Sequence, residues 1–418
     1  MTTIRRAVTR IIVGTVLVFG AAACSDKFLS VTNPNVIDAA TVDPTSAAAT
    51  LFATASAQQN FATALGWLSM YSSWFSGEAN VSDTFPTRNE FGFRLISDLN
   101  GSLLFDVWQP ISLAAASAKS VLDLKLPNPT TNINIARAAT FRGFSILYIA
   151  TDFCTGALSS GPELTTAQLL DSATYWFGVA NTVGTANGTA GGMALANAAL
   201  VGRARSKLQK GDMAGALADA SAVPAGFVYN LNYTDDLTNR TRLSNRIYQF
   251  TFDRGSISVA PGYRANGDPR LPFFTPAQTN LQGQDAVPGG FFPQNKFSGY
   301  AAPVRLASKL EADYIAAEAS GDPVRQLALI NRQDLANNQP PYAGAVDPAS
   351  VLTELFNQRG LDFYLEGKRL ADFRRNPAAT SNVTPTGAPY FKPGYAATGA
   401  QTCYPLPRAE RDNNPNMK

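Results

Sequence analysis

The sequence predicts a mostly α-helical fold: a single domain of paired helices carrying a loop-rich insertion and a loop-rich tail. Three observations lead there. Apolar residues recur at spacings of three and four over most of the chain. Residues 193–224 read as a helical hairpin. Residues 225–300 and 376–418 lose that spacing and fill with Pro, Gly, Asn and aromatic side chains. No strand–helix alternation suggests a parallel sheet, and no Gly-rich phosphate loop occurs.

The chain opens with Arg5, Arg6 and Arg10, an apolar run from Ile11 to Phe19, and small residues from Gly20 to Ala23 before Cys24. A positive start, a short apolar core and a small-residue cleavage site describe an export leader over 1–23. The apolar run is too short to span a bilayer comfortably. The Cys directly after "AAA" resembles a bacterial lipobox, with Ala21 where Leu is usual, so Cys24 is expected to be lipidated. The rival is an ordinary secretory leader cut near Ala23. The three leader arginines account for the whole excess of 34 basic over 31 acidic residues. What remains is formally neutral, without the basic excess that nucleic-acid binding needs.

Residues 24–45 are polar with two Pro and read as a tether; the domain is expected over 46–418. Residues 46–82 read as helix, 83–90 as loop, and 98–125 and 132–150 as two further helices. Leu104, Trp108, Ile111 and Ala115 share one helical face. In 193–224 a small and apolar helix, a Gly211-Asp212 turn, an Ala-rich helix and a closing Pro224 give the shape of a tetratricopeptide-like repeat. Helical spacing resumes at 303–336 and 348–375, with Leu352, Phe356, Phe363, Leu370 and Phe373 as the apolar stripe of the last helix.

The chain has no His. That removes Ser-His-Asp and Cys-His catalysis and the commonest zinc and copper ligand, so no metal or cofactor is expected. Cys154 and Cys403 remain after Cys24. An even count in an exported chain allows one disulfide; two buried thiols are the alternative. In "LEGKRLADFRR", residues 365–375, acids and bases fall three and four apart. Arg359, Asp362, Glu366, Arg369 and Asp372 are expected to form a structural ionic network rather than a catalytic pair, because a carboxylate beside Arg has a depressed pKa and makes a poor general acid.

"NQRGLDFYLEGKRLADFRR" resembles the C-terminal signature of the SusD/RagB family of outer-membrane nutrient-binding lipoproteins. Gln358 and Asp362 stand where that pattern has Glu, and Phe373 where it has Leu. "CSDKFLSVTNPNV", "GDPRLPFF", "PVRLASKLEADYIAAEA" (Lys309 where Glu is frequent) and "CYPLPRAERDNNPNM" resemble further family segments in the same order. The resemblance implies a SusD-like α fold with tetratricopeptide-like pairs. It also implies a lipid-anchored place on the outer face of the outer membrane, and a SusC-like TonB-dependent transporter as partner. The cargo would be oligosaccharide, and the protein not an enzyme.

Glycan capture needs flat aromatic faces and planar polar groups. "GWLSMYSSWFSGEANVSDTFPTRNE" is the richest mixture, so Trp74, Phe85, Arg88 and Asn89 are the expected ligand-binding residues, with Tyr263 from the irregular region. The competing expectation for Trp67, Tyr71 and Trp74 is core packing. Three further readings remain: capture of peptides or another nutrient on the same architecture, a glycosidase using a pair among Glu78, Asp83, Glu90 and Asp98, and a purely structural repeat scaffold.

Overall fold

Local sequence sets each helix boundary. The computed structural model describes residues 46–265 and 267–417; the leader, the tether and Cys24 lie outside them. The compact unit runs from Thr50 onward. Helix α1 (Ala47–Phe75) buries Phe61, Leu65, Leu68 and Tyr71. A strand β1 (Ala79–Val81) and a short helix α2 (Pro86–Gly92) follow, the latter begun by the Pro that suits a first helical turn. A π-helical turn at Leu103–Trp108 leads into α3 (Gln109–Leu122), and α4 (Ile133–Asp152) is buried over nearly its whole length. After strands β2 (Thr155–Gly156) and β3 (Leu164–Thr165) come α5 (Thr166–Asn187), α6 (Ala190–Lys210) and α7 (Met213–Ser221).

The α6–α7 turn is the expected hairpin. Gly211 takes φ +88°, a left-handed conformation that closes α6, and the Asp212 side chain accepts from Gly215 N at 2.9 Å to open α7.

Helices α3 to α7 pack each on the next, and the row then continues with α11 (Lys309–Ser320), α12 (Pro323–Ala336) and α13 (Pro348–Asp362). Between α7 and α11 the chain leaves the row and returns. The neck of that excursion is an antiparallel pair, β4 (Val228–Leu231) with β6 (Val304–Ser308), in the register Val228↔Ser308 and Leu231↔Val304. Inside it lie α8 (Arg240–Leu243), α9 (Arg246–Phe252), β5 (Ile257–Val259) and α10 (Pro261–Arg264). Strand β5 pairs with β1, Asn80 opposite Ser258, and docks the excursion onto the exit of α1. The stretch expected as one helical run at 303–336 is thus a strand and two helices, broken at Gly321.

The charged C-terminal stretch also differs from a single helix over 348–375. It is α13, a turn, and α14 (Arg369–Arg375), because the turn takes left-handed backbone at Leu365 (φ +58°) and Gly367 (φ +70°). A Cβ on Gly367 would lie 2.9 Å from Ser69 Oγ and 3.2 Å from Ser69 Cα, so the turn presses directly on α1. Most of the expected three- and four-residue pairs are therefore not helix staples, and long-range bonds replace them. Glu366 pairs with Lys296 (2.9 Å), Arg305 (2.9 Å) and Lys368 (3.0 Å). Arg359 pairs with Asp372 at 2.7 Å across the turn, and Asp362 with Arg270 at 3.1 Å while accepting from Tyr314 at 2.6 Å. Arg369 departs from the expected network: it donates to the carbonyls of Phe356 (2.7 Å) and Ser381 (2.8 Å). Fully buried Glu311 meets Arg205 at 2.6 Å. Burial pushes the Glu366 carboxyl up, yet Lys296, Lys368 and Arg305 together hold it well below the usual carboxylate range.

The tail is fixed by a Cys154–Cys403 disulfide, by backbone bonds between Tyr404 and the Asp152–Cys154 segment, and by α15 (Arg408–Asn413), whose Glu410 accepts from Trp108 Nε1 at 3.0 Å. Among the described residues no helix is long and apolar enough to cross a membrane.

Glu366→Gln leaves three clustered cations with one partner fewer in a dry site. It is expected to cost about 3–5 kcal/mol in urea unfolding, whereas Arg408→Ala, at an exposed pair with Asp98, changes stability by less than about 1 kcal/mol.

Candidate functional site

Three irregular segments converge beside the C-terminal end of α1: residues 77–93, the excursion loop 276–292, and the tail from 384 to 399. Asp83 organises the first. Its Oδ1 accepts from Phe85 N at 2.9 Å, and its Oδ2 binds Arg88 at 2.6 Å. Asn89 Nδ2 donates to the carbonyls of Asp83 (2.8 Å) and Phe85 (2.9 Å), and Asn89 Oδ1 accepts from the Tyr390 hydroxyl at 3.0 Å. Lys392 completes the junction: it donates to Asp83 O at 2.7 Å and pairs with Asp285 at 2.9 Å. That bond to Lys392 holds the Asp285 carboxyl below its ordinary range.

A cleft results. Its narrow part, about 240 Å3, lies among Trp74, Asn80, Pro261, Pro288, Tyr390 and Phe391. Its wide part, about 740 Å3, is lined by the loop from Pro276 to Phe291 and offers Thr279, Asn280, Gln282 and Gln284. Pro288 faces the narrow part, while Val287 and Gly290 face the wide one, so a single loop walls both. Tyr390, Phe391 and Tyr395 are half-buried, and Tyr390 meets both of the others, its ring centre 4.4 Å from that of Phe391 and 5.6 Å from that of Tyr395. Flat rings beside planar amides, in a cleft of this volume, suit a hydroxylated ligand with apolar ring faces.

The five expected ligand residues fall in different places. Phe85 is 55% exposed, with the Arg88 guanidinium 4.7 Å from its ring centre. Arg88 is half-buried and locked to Asp83. Asn89 is fully buried, a rivet between loop and tail. Trp74 is 1% exposed and forms the floor of the narrow part, edge-on to Tyr71 at 5.1 Å; it is not a surface platform. Its neighbour in the stripe, Trp67, is half-buried under Arg246 at 4.5 Å. Tyr263 is 3% exposed, packs on Tyr364 at 5.0 Å, and lines a different cavity. Residue type and neighbourhood suggested these side chains, but burial is decided by which helix face meets the core, and "APYFKPGY" in the tail gave no sign that it lies against Asn89, about 300 residues earlier.

The four carboxylates weighed for hydrolysis are committed elsewhere. Glu78 and Asp83 are fully buried, Glu90 accepts from Ser97 N and Asn100, and Asp98 pairs with Arg408. Glu78 holds the turn after α13 through Leu365 N at 3.0 Å, and burial raises its carboxyl to about 7.

No family model matches the chain, and no curated protein matches it by sequence. Solved structures do match its fold. A SusD superfamily protein from Parabacteroides distasonis superposes with a TM-score of 0.65 at 16% identity, covering 89% of this chain and 98% of that one. A surface glycan-binding protein A from Bacteroides thetaiotaomicron, solved with laminarihexaose, does so with 0.65 at 14% identity, covering 89% and 98%. A laminarin-binding SusD-like protein gives 0.65 at 14%, covering 88% and 97%. The chain has the SusD/RagB fold.

A carboxyl with a raised folded pKa keeps its proton over a window in which the unfolded chain has lost it. Stability then falls as pH rises through that window. For Glu78 the window is from 4.5 to about 7. The stability difference between wild type and Glu78→Gln is expected to shift in favour of the variant by about 1–3 kcal/mol between pH 4.5 and pH 7.5, read from urea midpoints at each pH.

Proposed function

We propose that this is a cell-surface glycan-binding protein that holds an oligosaccharide in the cleft between residues 77–93, 276–292 and 384–399. The observation that carries the reading is the pair of half-exposed rings Tyr390 and Phe391 in the narrow part, next to a wide part whose loop carries amides. Aromatic faces take the C–H surfaces of pyranose rings, and Asn280, Gln282 and Gln284 can donate to and accept from vicinal hydroxyls. The likeness of fold to glycan-binding SusD-like proteins supports it. In the fuller reading, Cys24 carries the lipid that keeps the protein on the outer face of the outer membrane, and the captured glycan passes to a SusC-like TonB-dependent transporter. The protein binds and hands on its ligand without turning it over.

Affinity electrophoresis and calorimetry against a panel of polysaccharides and peptides test this, with laminarin among the glycans. Phe391→Ala is expected to weaken the bound glycan about tenfold, or about 1.4 kcal/mol, and Phe85→Ala by less. Trp74→Phe, which keeps an aromatic floor, retains binding. Binding of peptides alone, or no glycan binding at millimolar sites, overturns the reading.

A further inference from the structure

A second cavity, of about 640 Å3, lies across a ridge from the cleft. Pro261 and Thr384 face the cleft; Gly262 and Asn382 face this cavity. Asp334, near the end of α12, and Glu354, in α13, line it. Asp334 is 4% exposed, and among the described residues no Lys or Arg comes within ion-pair distance of either carboxylate. One amide bridges them: Gln358 Nε2 donates to Asp334 Oδ1 at 2.7 Å and to Glu354 Oε1 at 2.9 Å. The other cavity-lining acid, Asp268, is neutralised by Arg270 at 2.7 Å. The cation on the lining, Arg369, is spent on the carbonyls of Phe356 and Ser381.

A buried acid beside a second acid is costly unless a cation joins them: Asp334 is buried next to half-buried Glu354, and the Arg270 guanidinium whose field reaches it is already paired with Asp268 and Asp362. Burial and the neighbouring Glu354 push the Asp334 carboxyl up, as such crowding requires. One further polar group on the same lining has no hydrogen-bond partner, the Gln358 amide oxygen, on a residue 5% exposed; the Tyr263 hydroxyl, on a residue 3% exposed, lies beside the Arg369 guanidinium. Native proteins leave few buried polar atoms unpaired, and a donor entering this cavity would satisfy the Gln358 amide oxygen.

The missing complement is a compact cation with several donors. A hard divalent ion wants six or more oxygens, and among the described residues no group of three His, Cys, Asp or Glu could hold a metal. A primary ammonium has three donors, which Asp334, Glu354 and Gln358 Oε1 can accept. Half-buried Tyr342, with Pro340 and Pro341, adds a flat apolar wall beside them. We propose that this cavity binds an ammonium group carried on a sugar ring, that is, a deacetylated amino sugar, independently of the cleft. N-acetylation removes the charge and sets a carbonyl against the two acids, so the acetylated sugar is excluded.

Calorimetry of the protein with glucosamine and its β-linked oligomers, against the N-acetylated series and a lysine-containing peptide, tests this. The expected result is binding of the amine series at least tenfold tighter than the acetylated one. Glu354→Gln, at the half-buried edge, weakens it at least tenfold, Asp334→Asn does the same, and Phe391→Ala in the cleft leaves it unchanged. Circular dichroism confirms that each variant folds. Equal binding of the acetylated series overturns the proposal. So does loss with Phe391→Ala but not Glu354→Gln, which puts the sugar in the cleft, and so does binding of the lysine peptide in place of the amino sugar.

Discussion

The fold hangs on Glu366 and Glu311. These two buried carboxylates gather Arg205 from α6, Lys296 and Arg305 from the excursion, and Arg359 and Lys368 from the C-terminal segment. The five partners come from three different stretches of chain, so the cluster forms only when the helical row, the excursion and the C-terminal turn are all in place. Burying so many charges has a large desolvation cost, and the Coulomb gain offsets it only where the geometry is good. Such a cluster contributes less to net stability than an apolar core of equal volume. Its worth is selectivity: a misdocked excursion leaves buried charges unmatched. Burial lowers the Lys368 pKa to about 8 even beside both acids.

The cleft is downstream of that cluster. Lys296 and Arg305 fix the return of the excursion, the β4–β6 neck closes its base, and the β1–β5 pair brings it to the exit of α1. The tail reaches the same place by other means. The Cys154–Cys403 bond and the buried Tyr404, in contact with Phe75, Phe91 and Phe153, anchor its far end. Tyr390 and Lys392 then tie its middle to Asn89 and Asp83. Asn89, Tyr390 and Lys392 thus tie two of the three segments that wall the cleft to each other, and Lys392 reaches the third through Asp285.

The same turn that joins α13 to α14 links the two cavities. Arg369 and Gln358 border the acid-lined one, while Glu78, beneath the cleft, holds the turn through Leu365 N. The two sites remain chemically distinct. The cleft offers amides and rings with a single compensated carboxylate, Asp285, and the second cavity offers two acids that form no ion pair and are held by amides.

Local pattern determined much of this protein. Helical spacing placed α4, α6 and α7 within a few residues but ran α1 on through β1 and began α3 about ten residues early; the Gly211-Asp212 turn was legible because left-handed Gly followed by a capping Asp has a local cause, and loss of periodicity marked the excursion. The Arg-flanked acids were enough to expect an ionic network, though not its long-range partners or the departure of Arg369 from it. Only the tertiary structure decided that the charged stretch is broken at Leu365 and Gly367, since the strain there is repaid by contact with Ser69 and Glu78 on a distant segment. It alone decided that Trp74 is floor and Phe85 is surface. Exposure is a property of which faces meet, and a residue's spacing along its own helix does not carry that information.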